Sequence, residues 1–336
     1  MKFCHFMFLF IYGLVSILLN IISNSIVDAN SLPAQFKDIQ PLICRQLNEK
    51  PSNAPSLVVT SNIDPKDPTQ HLYGGPASDQ PYLLGFSTEG KEHVILLISL
   101  PEITDNIVTT VPGVGSGLND ALYQSLSIND ATSEILKGSD GDINKNTQII
   151  WVGYDISESP VDVGINFFTD ILDFGLTKLS IALAVAAGSA LNLFQWGLIT
   201  IHKGTAPHIT VVGHSYGSDV VVETTMNGLK LVADDVILIA SLRVPVDHAS
   251  QIANNMVSSN PGSHNPKTQV WASKTGEDPI CRISNSLETD TISKSFGASV
   301  FFSEPRGDHG GYWYGIGLTN MAFIILENYH SVLTGI

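Results

Sequence analysis

The chain predicts an α/β fold in which a mostly parallel, twisted sheet carries helices on both faces. Three observations predict it. From Tyr82 onward, short β-branched or apolar runs alternate with longer stretches of helical spacing. From the third run onward, each intervening segment is long enough for a crossover helix, which parallel neighbours require. A composition of 43% apolar and 15% charged residues over 336 positions is enough for one large core.

The N-terminal region stands apart from that pattern. Lys2 is followed by an almost wholly apolar stretch from Phe3 to Ile22, and Val27, Asp28 and Ala29 precede Asn30 in the manner of a small-residue cleavage site. Residues 1–29 therefore read as a signal peptide. Because the apolar stretch reaches the roughly 20 residues that span a bilayer, an uncleaved signal anchor is the competing reading, and with it a membrane tether. Under either reading the protein is expected to be secreted, or anchored outside the cytoplasm. Residues 30–80, rich in Pro, Asn, Asp and Ser, read as an irregular extension, and residues 81–336 as the α/β domain. Cys4 falls in the signal. Cys44 and Cys281 remain, and an oxidising compartment allows them to pair; two buried thiols are the alternative. The net charge of −15 argues against a nucleic-acid partner, which needs clustered Lys and Arg, and against an anionic membrane surface.

Within the domain, YLLGF and HVILLISL, joined by Ser87-Thr88-Glu89-Gly90, read as an antiparallel hairpin at one edge. NIVTTV, TQIIWVG, HITVVG, DVILIAS, TQVWAS and ASVFFS read as the parallel strands. The nearly uncharged stretch from Leu176 to Ile201 is expected to be a long crossover helix buried on the sheet. A transmembrane helix or a membrane-contacting lid are the alternatives, against which Asn192, Gln195 and Gly197 interrupt the stretch. The preceding segment carries Phe167, Phe168, Ile171, Leu172 and Phe174. This stripe is either core or a lid over a substrate acyl chain.

The chemistry centres on Gly213-His214-Ser215-Tyr216-Gly217, a G-x-S-x-G pattern set between the strand HITVV and a helical stretch expected to end at Gly228. Strand, sharp turn and helix are the context of a nucleophile elbow. Glycines two residues either side remove Cβ atoms that would collide with neighbouring backbone. A serine hydroxyl needs a base and an orienting carboxylate, here in the order Ser, acid, His. After TQVWAS comes a turn holding Glu277 and Asp278; after ASVFF comes the Gly-rich loop Ser303–Gly311 holding His309. Asp278 is the expected acid, with Glu277 adjacent to it, and His309 the expected base. Asp235 begins its strand and so lies at the wrong end. Asp308, beside His309 in sequence, is poorly placed to face it. For an oxyanion, the Tyr216 amide is one expected donor and Gly113 or Val114, in the loop Val111–Gly117, the other. That loop has neither the dinucleotide-binding spacing nor a P-loop lysine. No metal site and no cofactor is implied, and substrate-binding residues are not assigned.

VTTVPGVGSGL, IIWVGYD, ITVVGHSYGSDVV, ADDVILIAS, QVWASKTGEDPI, FGASVF and the H-x-x-Y of His309 to Tyr312 occur in one order. Together they resemble a mainly actinobacterial domain family of unknown function within the α/β-hydrolase superfamily. The resemblance runs from about Tyr82 to the C-terminus and implies the α/β-hydrolase fold with Ser215, Asp278 and His309 as its triad. The apolar crossover segment and Ser241-Leu242-Arg243, where the family carries a small Ser-Pro-Gly turn, depart from the pattern. The expected activity is that of a serine hydrolase acting on a small-molecule or lipid carboxylic ester through an acyl-enzyme. An amidase or peptidase with the same triad, and a non-catalytic extracellular binding protein on the same scaffold, are the alternatives.

Overall fold

The computed structural model describes residues 82–87, 93–99, 101–114, 116, 118–139, 141–142, 146–154, 178–241, 244–259, 269–279 and 289–335. The signal and extension, the Cys44–Cys281 pair and the Phe167–Phe174 stripe lie outside the described residues.

Among the described residues, all eight runs expected as strands join one sheet. They are β1 (Tyr82–Ser87), β2 (His93–Ile98), β3 (Asn106–Val111), β4 (Asn146–Val152), β5 (His208–His214), β7 (Asp235–Ile239), β9 (Gln269–Ser273) and β10 (Ser299–Val300), in the order β1-β2-β4-β3-β5-β7-β9-β10. β1 pairs antiparallel with β2, and β2 with β4; every later pairing in the sheet is parallel. The central strands β4 and β7 are buried at every position and β3 and β5 at all but the first. They are therefore covered on both faces and show no polar–apolar alternation, although Thr109, Thr110, Asn146, Thr147, Gln148 and Thr210 are buried polar members. The sequence pattern did not reveal a second, two-stranded sheet of β6 (Leu231–Val232) and β8 (Met256–Val257). Two-residue strands leave no periodicity to read.

Helix α1 (Leu118–Gly138) turns Ala121, Leu122, Ser125, Ile128 and Thr132 inward, one face of a 3.6-residue repeat. Asp120 in its first turn and Lys137 in its last suit the helix dipole. Helix α2 (Lys178–Ile201) is the crossover from β4 to β5. Among the described residues it is the helix long and apolar enough to span a bilayer, yet half of its apolar window is buried inside the protein. Its polar residues are staples within the fold: Asn192 Nδ2 donates to the carbonyls of Thr224 (3.1 Å) and Lys230 (2.8 Å), and Gln195 Nε2 donates to Thr109 Oγ1 (2.7 Å). Its small residues allow close packing, since a Cβ on Gly188 would stand 2.6 Å from Glu223 Cβ. Glu223 closes helix α3 (Tyr216–Glu223), which ends five residues before Gly228. There Thr224 and Thr225 turn their hydroxyls back onto the carbonyls of Val221 and Val222, at 2.5 and 2.7 Å. This local competition for backbone acceptors ends the helix early. The remaining helices are α4 (Ala249–Ala253) and α5 (Gly315–Ile325), and a 3₁₀ turn spans Tyr329–Ser331.

Asp235 opens β7 at the amino edge of the sheet, away from the motif, as its position in the run implied. Its carboxylate accepts from Trp271 Nε1 and from the Tyr329 hydroxyl, both at 2.7 Å, and lies 2.9 Å from His208 Nε2. The Tyr329 ring stacks on Trp271 at 5.8 Å. One buried carboxylate thus ties the C-terminal turn to the foot of β5 and to the middle of β9. Burial works against a charge on His208, but the close contact with Asp235 and the charges of Asp235, Asp234 and Glu327 outweigh it and raise its pKa.

A histidine whose folded pKa is raised contributes stability that is fully present below its unfolded value, about 6.5, and lost as pH rises through the folded value. Denaturant unfolding of wild type and His208→Gln across a pH series should therefore show the largest gap on the acid side, narrowing as pH rises. A gap that stays constant with pH would count against this account.

Candidate active site

The sheet order places β4 on one side of β3 and β7 on the far side of β5. The chain thus winds outward in opposite directions from the β3–β5 pair. The carboxyl ends of such a pair open a crevice at a topological switch point. The Ser215 turn follows β5 and the glycine loop follows β3. Their register, Val111 opposite Gly213, brings the two together.

Ser215 adopts φ 54° and ψ −124°, a left-handed φ that a residue with a Cβ takes up only under constraint. Its N–H donates to the Ile239 carbonyl at 2.9 Å, and Ser218 donates from N to the Ser215 carbonyl and from Oγ to the Gly213 carbonyl. The glycines are needed for the reason expected: a Cβ on Gly217 would stand 2.2 Å from the Val111 carbonyl oxygen, and one on Gly213 2.7 Å from Ser218 Cα. Tyr216 is the first residue of α3, so its N–H is among those with no acceptor inside the helix. A Cβ on Gly113 would meet Ser215 Cβ at 2.7 Å and Oγ at 3.3 Å. The Gly113 backbone therefore lies directly against the serine, with Val114 next in the chain. Tyr154, just beyond β4, donates its hydroxyl to the Pro112 carbonyl and sets its ring 5.6 Å from that of Tyr216. It braces both sides of the crevice. Burial first, then the neighbouring Tyr216 and Asp219, raises the Tyr154 pKa well above the usual tyrosine value, so it remains a donor.

The loops that follow β9 and β10 meet. His309 Nδ1 lies 3.1 and 3.0 Å from Asp278 Oδ1 and Oδ2. Asp278 is 1% exposed, whereas the Glu277 side chain is exposed and its N–H donates to the Gly307 carbonyl. Asp308 turns away from His309, its carboxylate accepting from the Gly310 N–H at 3.0 Å. The structure thus gathers Asp278 and His309 on one side and Ser215, Tyr216, Gly113 and Val114 on the other.

His214 joins the two sides. Its Nε2–H donates to the His309 carbonyl at 3.0 Å, and the two imidazole rings lie 4.7 Å apart. Trp313 meets the same ring edge-on at 5.5 Å. The residue before Ser215 therefore holds the backbone of the candidate base. Burial, then repulsion from His309, lowers the His214 pKa to about 3, leaving the ring neutral. Sequence reasoning did not single out His214 or Tyr154. His214 occupies a variable position of the motif and Tyr154 merely follows a strand, so neither carries a signal of its own.

A family model described as alpha/beta hydrolase matches residues 94–288. Two curated relatives, both uncharacterized proteins of Mycobacterium tuberculosis (strains CDC 1551 / Oshkosh and ATCC 25618 / H37Rv), are 28% identical over 164 residues. That match covers 48% of this chain and 22% of the length of each relative. Among solved structures, esterase PE8 aligns with a TM-score of 0.42 at 16% identity, covering 69% of this chain and 96% of that one. Esterase LipW from Mycobacterium marinum aligns at 0.43 and 11%, covering 75% and 82%.

His214 also makes the site sensitive to acid. A buried neutral histidine must take up a proton on unfolding, so its folded pKa of about 3 costs stability as pH falls below the unfolded value of about 6.5. His214→Phe should flatten the acid-side decline in unfolding free energy relative to wild type. An equally steep decline in the variant would show that another group governs it.

Proposed function

The chain belongs to the α/β hydrolase family, and from that premise we propose that it is a serine hydrolase cleaving a carboxylic ester through an acyl-enzyme. The observation that carries this reading is the Asp278–His309 contact at 3.0 Å, with the His309 backbone tied to the residue preceding a strained, buried serine. A bare scaffold has no use for the three features together.

In the proposed reaction His309 Nε2 takes the Ser215 proton as Oγ attacks the ester carbonyl. Asp278 holds the imidazole through Nδ1 and stabilises the imidazolium that forms. The negative charge on the former carbonyl oxygen falls to the amides of Tyr216, at the head of α3, and of Gly113 or Val114, in the loop after β3, where fixed N–H dipoles favour it. The tetrahedral intermediate collapses, the C–O bond to the alcohol breaks, and the imidazolium returns its proton to the departing oxygen. Water, deprotonated by His309, then attacks the acyl-serine; the bond from the acyl carbon to Oγ breaks, the imidazolium returns its proton to Ser215 Oγ, and the acid leaves. Every proton removed in one half-reaction is returned in the same half.

Ser215→Ala should abolish both fluorophosphonate labelling and hydrolysis of p-nitrophenyl esters while leaving the circular-dichroism spectrum unchanged; undiminished turnover would end the proposal. The same assay on anilide analogues distinguishes an amidase, and a rise in rate with acyl length supports a lipid substrate.

Asp278→Asn should lower kcat by on the order of 10³–10⁴-fold, because the wrong imidazole tautomer is then held. Glu277→Gln, altering an exposed neighbour, should stay near wild type. The reverse ranking of these two variants would reassign the acid.

A further inference from the structure

The reaction above leaves unused the last residue of the H-x-x-Y stretch. Tyr312 is wholly buried three residues beyond His309, and its hydroxyl donates to Asp278 Oδ2 at 2.9 Å while accepting from the Thr275 N–H at 3.0 Å. Thr275 lies three residues before Asp278. The two loops are already joined by bonds from Gly276 N to Glu304 O, from Glu277 N to Gly307 O and from Thr275 Oγ1 to Asp308 O. The Tyr312 hydroxyl is thus not needed to hold the loops in register. What it adds is a contact with the carboxylate itself.

We propose that Tyr312 is a positioning residue of this site, its hydroxyl fixing Asp278 as an ionised, correctly turned acceptor for His309. The proposal rests on the serine-hydrolase reading. A phenol has one proton to give. The Thr275 N–H can only donate, so it takes up an acceptor lone pair of the hydroxyl, and the proton of the hydroxyl is directed to Asp278. A hydrogen bond to a charged acceptor is stronger than a neutral one, and burial strengthens it further. Its first effect is orientation: Asp278 cannot swing away from His309 without breaking it. Its second is electronic, because the bond draws charge from the carboxylate and tempers its pull on a protonated imidazole. Among the described residues, the titratable groups around the hydroxyl include Asp278, His309 behind it, and His214, whose ring meets that of Tyr312 edge-on at 6.0 Å.

The test uses the full chain, a short p-nitrophenyl ester, and two changes at one position: Tyr312→Phe and site-specific replacement of Tyr312 by 3-fluorotyrosine, a stronger donor of nearly the same shape. For Tyr312→Phe, kcat should fall on the order of tenfold with KM within about twofold, and the acidic limb of the kcat/KM profile should move to higher pH by roughly half a unit. The fluorinated protein should move that limb the other way. Thermal midpoints measured in parallel separate these effects from misfolding, and the fluorinated protein decides the matter if Tyr312→Phe does not fold. A limb unmoved by either change, with Ser215→Ala inactive, would overturn the role of Tyr312 alone. Turnover surviving in Ser215→Ala would remove the serine-hydrolase reading and the role of Tyr312 with it.

Discussion

The pairing of β3 with β5 is the constraint on which the rest of the site depends. Neither strand carries a residue proposed to act in the reaction; what they supply is a shared edge at which the winding of the sheet reverses. Because Val111 stands opposite Gly213, the two turns that follow come off the sheet side by side. A slip of one residue would exchange the faces of every side chain on a strand buried on both sides. The burial of these strands therefore fixes the approach of Gly113 to Ser215. Core packing and active-site geometry are here the same requirement. The strain at Ser215 is then supported by bonds from β7 and α3, elements built on the same register.

The second half of the site hangs on loops, and loops need other means of being held. The loops carrying Asp278 and His309 are bound to one another through Thr275, Gly276 and Glu277 on one side and Glu304, Gly307 and Asp308 on the other. They form a single unit presented to the serine. Its tie to the nucleophile turn runs through His214, a neutral ring whose bond goes to a backbone carbonyl and so does not depend on the rotamer of the candidate base. Asp278 is buried and His309 partly exposed, as the proposed reaction asks of one group that keeps its charge partner and another that reaches a substrate.

The runs of the sheet were legible because they are short, rich in apolar and β-branched residues and bounded by turns, and the order of the sheet was not, because nothing in a run names its neighbour. Ser215, Asp278 and His309 could be placed by the punctuation around them: glycines at fixed offsets and a turn after each strand. Tyr154 and His214 have no such frame, since a tyrosine after a strand and a histidine inside a motif mean something only once Pro112 and His309 are known to lie within reach. The crossover α2 was ambiguous for a physical reason. Length and hydropathy are all that a bilayer demands, and the partners that make Asn192 and Gln195 staples, Thr109, Thr224 and Lys230, are far away in sequence.

His208 and His214 are the first and last residues of the same strand. At its foot the imidazole sits among carboxylates that favour the proton; at its head the imidazole is enclosed by aromatic rings and a second histidine that refuse it. The central strand therefore has a polarity of titration along its length, independent of the polarity of its peptide bonds. An acid excursion loads the end beside the candidate site and leaves the foot secure; an alkaline one loosens the foot and spares the candidate site. The molecule yields from opposite ends according to the direction of the change.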